Sequence, residues 1–133
     1  MTTKILIADD EPNILISLEY LMKREGYVVH VARDGQEALD VLRRERPVLV
    51  LLDVMMPRKS GIEVCQELRG DEAIKDTLVL MLTAKGRDTD VAKGLGVGAD
   101  AYMTKPFATK DLVAKVRDML AAPAAARASG AGT

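Results

Sequence analysis

Tryptophan is absent from this chain of 133 residues, and phenylalanine, histidine and cysteine each occur once. Three tyrosines and one phenylalanine leave no set of loop aromatics to stack a flavin, which argues against a small flavodoxin-like binding protein. Cys65 has no second cysteine to pair with, so no internal disulfide forms and a reducing cytoplasm is the compartment expected. Set among Ile62 and Leu68, it reads as a small buried hydrophobe rather than a reactive thiol. His30, on a predicted strand, reads as a surface or half-buried side chain rather than a ligand. No apolar run approaches the roughly 20 residues that cross a bilayer. Met1-Thr2-Thr3-Lys4 opens onto Ile5-Leu6-Ile7-Ala8 with no secretory pattern. A formal net charge of −1 supplies no basic excess for nucleic acid.

What is present is 48% hydrophobic and 29% charged residues, the balance of a single globular domain able to bury a core without staples. The run Val48-Leu49-Val50-Leu51-Leu52 predicts a strand buried on both faces, delivering Asp53 at its end before Pro57 and Gly61 break the backbone. Ile5-Leu6-Ile7-Ala8 predicts a first strand, followed by Asp9-Asp10-Glu11 and by Pro12 in the first turn of a helix. That helix buries Ile14, Leu15, Leu18, Leu21 and Met22 and stops at Gly26. Tyr27–Ala32 is a more mixed strand, expected near a sheet edge. Asp34 with Glu37, and Ser60 with Glu63, are capping-box pairs that open the second and third helices. The second turns Ala38, Leu39 and Leu42 inward, and the third packs Ile62, Cys65 and Leu68 before Gly70 ends it. Leu78–Leu82 is a fourth strand ending at Thr83-Ala84, and Ala99–Met103 a short fifth. A fourth helix over Asp88–Val97 contains Gly94 and Gly96, each costing about 1 kcal/mol relative to alanine, so it is expected to be the loosest. Thr109 is expected to cap a last helix burying Leu112, Val113, Val116 and Leu120. Residues 1–122 thus read as one domain, and the Ala/Gly-rich 123–133 as a flexible tail or linker remnant.

Strands alternating with helices in so short a chain imply a doubly wound α/β fold, a five-stranded parallel sheet with helices on both faces. The functional crevice of such a sheet lies outside the carboxyl ends of its strands. With the first strand beside the third, Asp9, Asp10 and Asp53 converge there, with Thr83 and Lys105 at the ends of the fourth and fifth. Clustered carboxylates repel one another, and Lys105 neutralises one charge. Mg²⁺, which takes oxygen ligands and keeps several waters, complements the rest. Asp53 is then the available nucleophile for a phosphoryl group, with the Thr83 hydroxyl and the Ala84 amide able to bond its oxygens.

These residues resemble the receiver domain of two-component response regulators, over positions 4 to about 121. The carriers are Asp9-Asp10, Asp53-Val54-Met55-Met56-Pro57 with Gly61, Thr83-Ala84, and Gly98 through Phe107 with Lys105-Pro106 at its core. The resemblance implies a flavodoxin-like three-layer (βα)5 fold with strand order 2-1-3-4-5. It implies that Asp53 accepts a phosphoryl group from a partner sensor histidine kinase or phosphotransfer protein. Mg²⁺ is then held by Asp9 or Asp10, with Asp10 preferred, together with Asp53 and the Met55 carbonyl. Lys105 pairs with the phosphoryl group or with Asp53, and its peptide bond to Pro106 is cis; Thr83 moves toward the phosphoryl group and Tyr102 turns inward. The face formed by the fourth helix, fifth strand and last helix then changes for a downstream effector, a removed output domain or a phosphorylation-dependent homodimer. No direct binding of nucleic acid or membrane is implied. His30 is poorly placed to be an internal phosphodonor.

Each feature has a plainer account: charge at a helix N-terminus for Asp9-Asp10-Glu11, a strand-end cap for Thr83, a core aromatic for Tyr102, a surface lysine for Lys105. Arg58, Lys59, Lys85 and Arg87 read as a solvated loop more than as a rim attracting a phosphorylated donor. The glycines at 94, 96 and 98 imitate half a dinucleotide fingerprint, but no strand precedes them. The competing activity is a Mg²⁺-dependent phosphohydrolase with an aspartyl-phosphate intermediate. Hydrolases of the haloacid-dehalogenase type use Asp-x-Asp after the first strand, whereas here the aspartates are adjacent and Asp53 lies on the third.

Overall fold

The computed structural model describes residues 3–84 and 96–121. Along the chain run β1 (Lys4–Ala8), α1 (Pro12–Arg24), β2 (Val28–Ala32), α2 (Gly35–Glu45) and β3 (Leu49–Asp53). α3 (Gly61–Arg69), β4 (Leu78–Ala84), β5 (Ala101–Lys105) and α4 (Thr109–Ala121) follow. The strands form one sheet in the order β2-β1-β3-β4-β5, every neighbouring pair parallel. Of the helix expected over Asp88–Val97 only Gly96 and Val97 fall among the described residues, and the tail at 123–133 lies outside them.

Because successive strand residues face opposite ways, the sheet feeds a core on each face. Leu6, Val50, Leu52 and Met81 pack against Ala38, Leu39 and Leu42 of α2 and Val64, Cys65 and Leu68 of α3. Ile5, Ile7, Leu49, Leu51, Leu80 and Leu82 pack against Leu15, Leu18 and Met22 of α1 and Leu112 and Val116 of α4. Burial raises the Cys65 thiol to about 11, which keeps it protonated and inert. Both predicted N-caps form: the Asp34 carboxylate accepts from the Glu37 amide (2.8 Å) and the Ser60 hydroxyl from the Glu63 amide (3.2 Å).

Details differ from the sequence pattern. Val48 stands outside β3 and is 38% exposed, while Leu49–Leu52 are wholly buried. On α3 Val64 is buried beside Cys65 and Leu68, and Ile62 packs against the same core half-buried. Thr109 lies within α4 instead of capping it, since the Ala108 carbonyl already accepts from Leu112. β5 starts two residues later than its apolar pattern, because Asp100 is committed to a network. Its amide donates to the Val79 carbonyl (3.0 Å), and its carboxylate accepts from the Val79 amide (2.8 Å) and from Arg69 (2.7 Å). Arg69 also donates to the carbonyls of Lys75, Thr77 and Gly98, tying the start of β5 to the end of α3. The shift makes Lys105 the last residue of β5.

Candidate functional site

Sequence order puts one carboxylate at the end of the most buried strand, and the fold surrounds it. Asp53 closes β3, Asp9 and Asp10 follow β1, and Lys105 closes β5. Ligand oxygens of Asp9, Asp10 and Asp53 all lie within 4.8 Å of one another. The two adjacent aspartates part in environment. Asp9 is wholly buried, its carboxylate accepting from Lys105 Nζ (2.8 Å) and from the Glu11 amide (2.9 Å); Asp10 is exposed. Lys105 also reaches Asp53 Oδ1 at 3.4 Å, where the Met55 amide donates at the same distance.

Among the described residues one ammonium stands against this cluster, which leaves negative charge in excess there. Burial, and then the neighbouring Asp9 carboxylate, push the Asp53 carboxyl up from 3.8 to about 6, against the opposing pull of Lys105 and the Met55 amide. Desolvation works against the Lys105 charge, yet the Asp9 hydrogen bond and the two carboxylates outweigh it and hold its pKa above the ordinary lysine value. The cleft therefore has capacity for a further cation.

Thr83, the sixth residue of β4, is buried, and its hydroxyl has no hydrogen-bond partner among the described residues. A buried unpaired hydroxyl costs about 1–3 kcal/mol. Thr83→Val, which keeps the shape and removes the polar atom, is accordingly expected to raise unfolding free energy by about 1 kcal/mol, read from the urea midpoint. A loss comparable to that of an ordinary core substitution would show that the hydroxyl is satisfied. Ala84 ends β4, exposed beside this position. Met55 and Tyr102 are 55% and 46% exposed, so Tyr102 is no core aromatic here. The Lys105–Pro106 bond is cis. Beside the cleft, Glu11, Ile14, Ala84, Lys105, Pro106 and Phe107 line an open groove of about 430 Å³.

Arg58 and Lys59 do not point their charges freely at the cleft: Arg58 lies 3.7 Å from Asp34, and Lys59 pairs with Glu67. Lys85 and Arg87 lie outside the described residues. Sequence reasoning missed the close packing around the loop after Asp53. A Cβ on Gly61 would stand 2.2 Å from the Asp53 carbonyl oxygen, and one on Gly35 2.1 Å from that of Lys59. The Asp34-Gly35 dipeptide announces a helix start, but no local signal says that a distant loop rests on it.

The response regulator receiver domain is matched over residues 5–117. The chain belongs to that family. Solved structures agree. A candidate response regulator from Chloroflexus aurantiacus is 33% identical with a TM-score of 0.87, covering 92% of this chain and 100% of its own. A CheY-like receiver domain protein from Methanospirillum hungatei is 30% identical with a TM-score of 0.84, covering 90% and 94%. The receiver domain of a signal transduction histidine kinase from Syntrophus aciditrophicus is 33% identical with a TM-score of 0.83, covering 90% of each chain. Receiver domains are the phosphoacceptor switches of two-component systems. They bind Mg²⁺ at an acidic pocket, act with histidine kinases and effector domains, and signal rather than turn over metabolites. This receiver domain carries an acidic cluster at that place, and none of its described helices is long and apolar enough to cross a membrane.

Proposed function

We propose that Asp53 is the phosphoacceptor of this receiver domain. A carboxylate oxygen of Asp53 attacks the phosphorus of a phosphohistidine on a sensor kinase or phosphotransfer protein. The new O–P bond forms as the P–N bond of the donor breaks. The observation that carries this reading is the charge imbalance of the cleft among the described residues: three carboxylates whose oxygens lie within 4.8 Å, one ammonium, and an acceptor whose proton is held to about 6.

That excess suits Mg²⁺, and the donor set is all oxygen, as this ion requires. Exposed Asp10, Asp53 and the Met55 carbonyl would hold it, with Asp9 anchoring Lys105 behind them. When bound, the ion supplies charge that offsets the transferring phosphoryl oxygens. Lys105 would swing from its longer contact with Asp53 toward a phosphoryl oxygen while keeping Asp9. The Ala84 amide and the Thr83 hydroxyl would bond the others, which gives the orphaned hydroxyl a partner in the phosphorylated state. Movement of Thr83 would open space for Tyr102, exposed on β5, and so alter the face of β5 and α4 that an effector reads. The phosphoacceptor unit would occupy residues 1–122, with 123–133 a tail or linker toward an effector or output domain. A cytoplasmic location fits a partner kinase there.

Incubation with a small phosphodonor and Mg²⁺, followed by chemical trapping and peptide mapping, tests the assignment. Acid-labile phosphate on the peptide bearing Asp53, at no more than one per chain, is expected. Labelling elsewhere would refute it, and repeated release of phosphate from a panel of phosphomonoesters would favour a hydrolase instead.

A further inference from the structure

Gly35 opens α2, far along the chain from Asp53, yet it is buried against the loop that follows Asp53. Its amide donates to the Pro57 carbonyl at 3.3 Å. A Cβ added there would fall 2.1 Å from the Lys59 carbonyl oxygen, 2.5 Å from Lys59 Cβ and 2.7 Å from the Lys59 carbonyl carbon. These atoms belong to backbone or sit directly on it, so no change of rotamer relieves the overlap and the loop itself must move. The segment is tightly turned: the Lys59 amide donates to the Pro57 carbonyl at 2.8 Å, and Arg58 between them has a φ of 69°. At the near end the Gly61 amide holds the Val54 carbonyl at 2.9 Å. Met55 lies between these two anchorages.

We propose that Gly35 is a positioning residue for this loop: its lack of a side chain lets Pro57–Lys59 seat on the start of α2, and that seating sets where the Met55 carbonyl stands relative to Asp53. The inference rests on the assignment of Asp53 and Met55 proposed above. Asp53 and Lys105 close their strands and Asp9 directly follows β1, so displacing the loop moves one metal ligand, and the Met55 amide bonded to Asp53 Oδ1 with it, while the backbone that carries the carboxylates and the ammonium stays in place. The effect therefore falls on metal affinity more than on the chemical step. Residues that orient metal ligands from behind change affinity by about 10- to 100-fold, and Gly35→Ala is expected to weaken Mg²⁺ binding by about tenfold. Its rate of phosphate uptake at saturating Mg²⁺ is expected to stay within about threefold of the wild type, a separation of apparent affinity from maximal rate.

Calorimetric titration of Mg²⁺ into the metal-free full chain tests this, alongside amide NMR shifts of Met55 and Lys59 without metal. Gly26→Ala is the control. Gly26 has a φ of +94° with nothing within 4 Å, so alanine there strains the backbone at the opposite end of the strands without touching the loop. It is expected to lose stability and keep wild-type Mg²⁺ affinity. A Gly35→Ala protein with unchanged affinity and an unmoved Met55 amide overturns the proposal, as does a loss of affinity matched by Gly26→Ala. Should Gly35→Ala fail to fold, Lys59→Gly decides: it keeps Gly35 and loosens the loop's side of the same contact. Weakened Mg²⁺ binding there supports the proposal, and unchanged binding overturns it. A wild-type chain that binds no Mg²⁺ overturns the metal assignment itself, and the positioning role with it.

Discussion

Asp53→Asn is expected to abolish Mg²⁺-dependent phosphate uptake and, in the same protein, to raise the unfolding free energy of the metal-free form at neutral pH by about 2 kcal/mol. The two effects share one cause. The folded chain holds Asp53 against the Asp9 carboxylate and away from water, so its proton leaves only near pH 6 instead of 3.8. A carboxyl whose folded pKa is raised favours the fold while protonated. That contribution is complete below its ordinary value and is lost as pH rises through about 6, so the ionised acceptor is a standing cost at neutral pH. Asparagine removes the charge with little change of shape. Urea melts of both proteins without metal should diverge above pH about 6 and converge toward pH about 4. Mg²⁺ should then stabilise the wild type and leave Asp53→Asn nearly unmoved. Equal stabilities across that range would mean that Asp53 is not under charge stress in the fold. Phosphate uptake by the wild type should fall as pH drops through the same region, with a midpoint that moves lower as Mg²⁺ is raised, because metal and proton compete for one carboxylate.

Lys105→Met is expected to act in the opposite sense. Lys105 Nζ sits 2.8 Å from Asp9, which is wholly buried, and 3.4 Å from Asp53. Removing one partner of a buried pair leaves an uncompensated charge, a loss of about 3–5 kcal/mol. The pH dependence separates this from a packing defect. Lys105 is held above its ordinary pKa, so its contribution is complete below that ordinary value and is lost as pH rises through the raised one. The gap between variant and wild type should therefore close at strongly alkaline pH. It should also narrow under acidic conditions, since without Lys105 the Asp53 carboxyl rises beyond about 6 and neutralises there. Mg²⁺ should recover part of the loss near neutrality by replacing the missing cation. Denaturant melts with and without Mg²⁺ measure all of this. A deficit of the same size at every pH would point to lost packing of the lysine stem instead.

Much of the architecture was legible along the chain because it is local or periodic. Continuous apolar runs marked the buried strands, and Leu49–Leu52 are wholly buried. Asp34 and Ser60, each three residues before a glutamate, marked helix starts whose amides they do cap. The displaced start of β5 was not legible, since it depends on Asp100 bonding Val79 and Arg69, residues 21 and 31 positions away. The capture of Arg58 by Asp34 and of Lys59 by Glu67 likewise depends on how α2 and α3 meet.

By itself the sequence determined the alternation of strands and helices and the carboxylates, hydroxyl and ammonium at strand ends, because hydrophobic periodicity and strand direction decide where each strand delivers its last side chain. Tertiary structure alone decided which of two adjacent aspartates is buried on Lys105 and which faces solvent, how far Asp53 is pushed from its ordinary pKa, and that the Thr83 hydroxyl waits without a partner among the described residues. Those properties are sums over neighbours remote in sequence. Burial and charge act through space, and only a folded sheet brings residues 9, 53 and 105 within reach of one another.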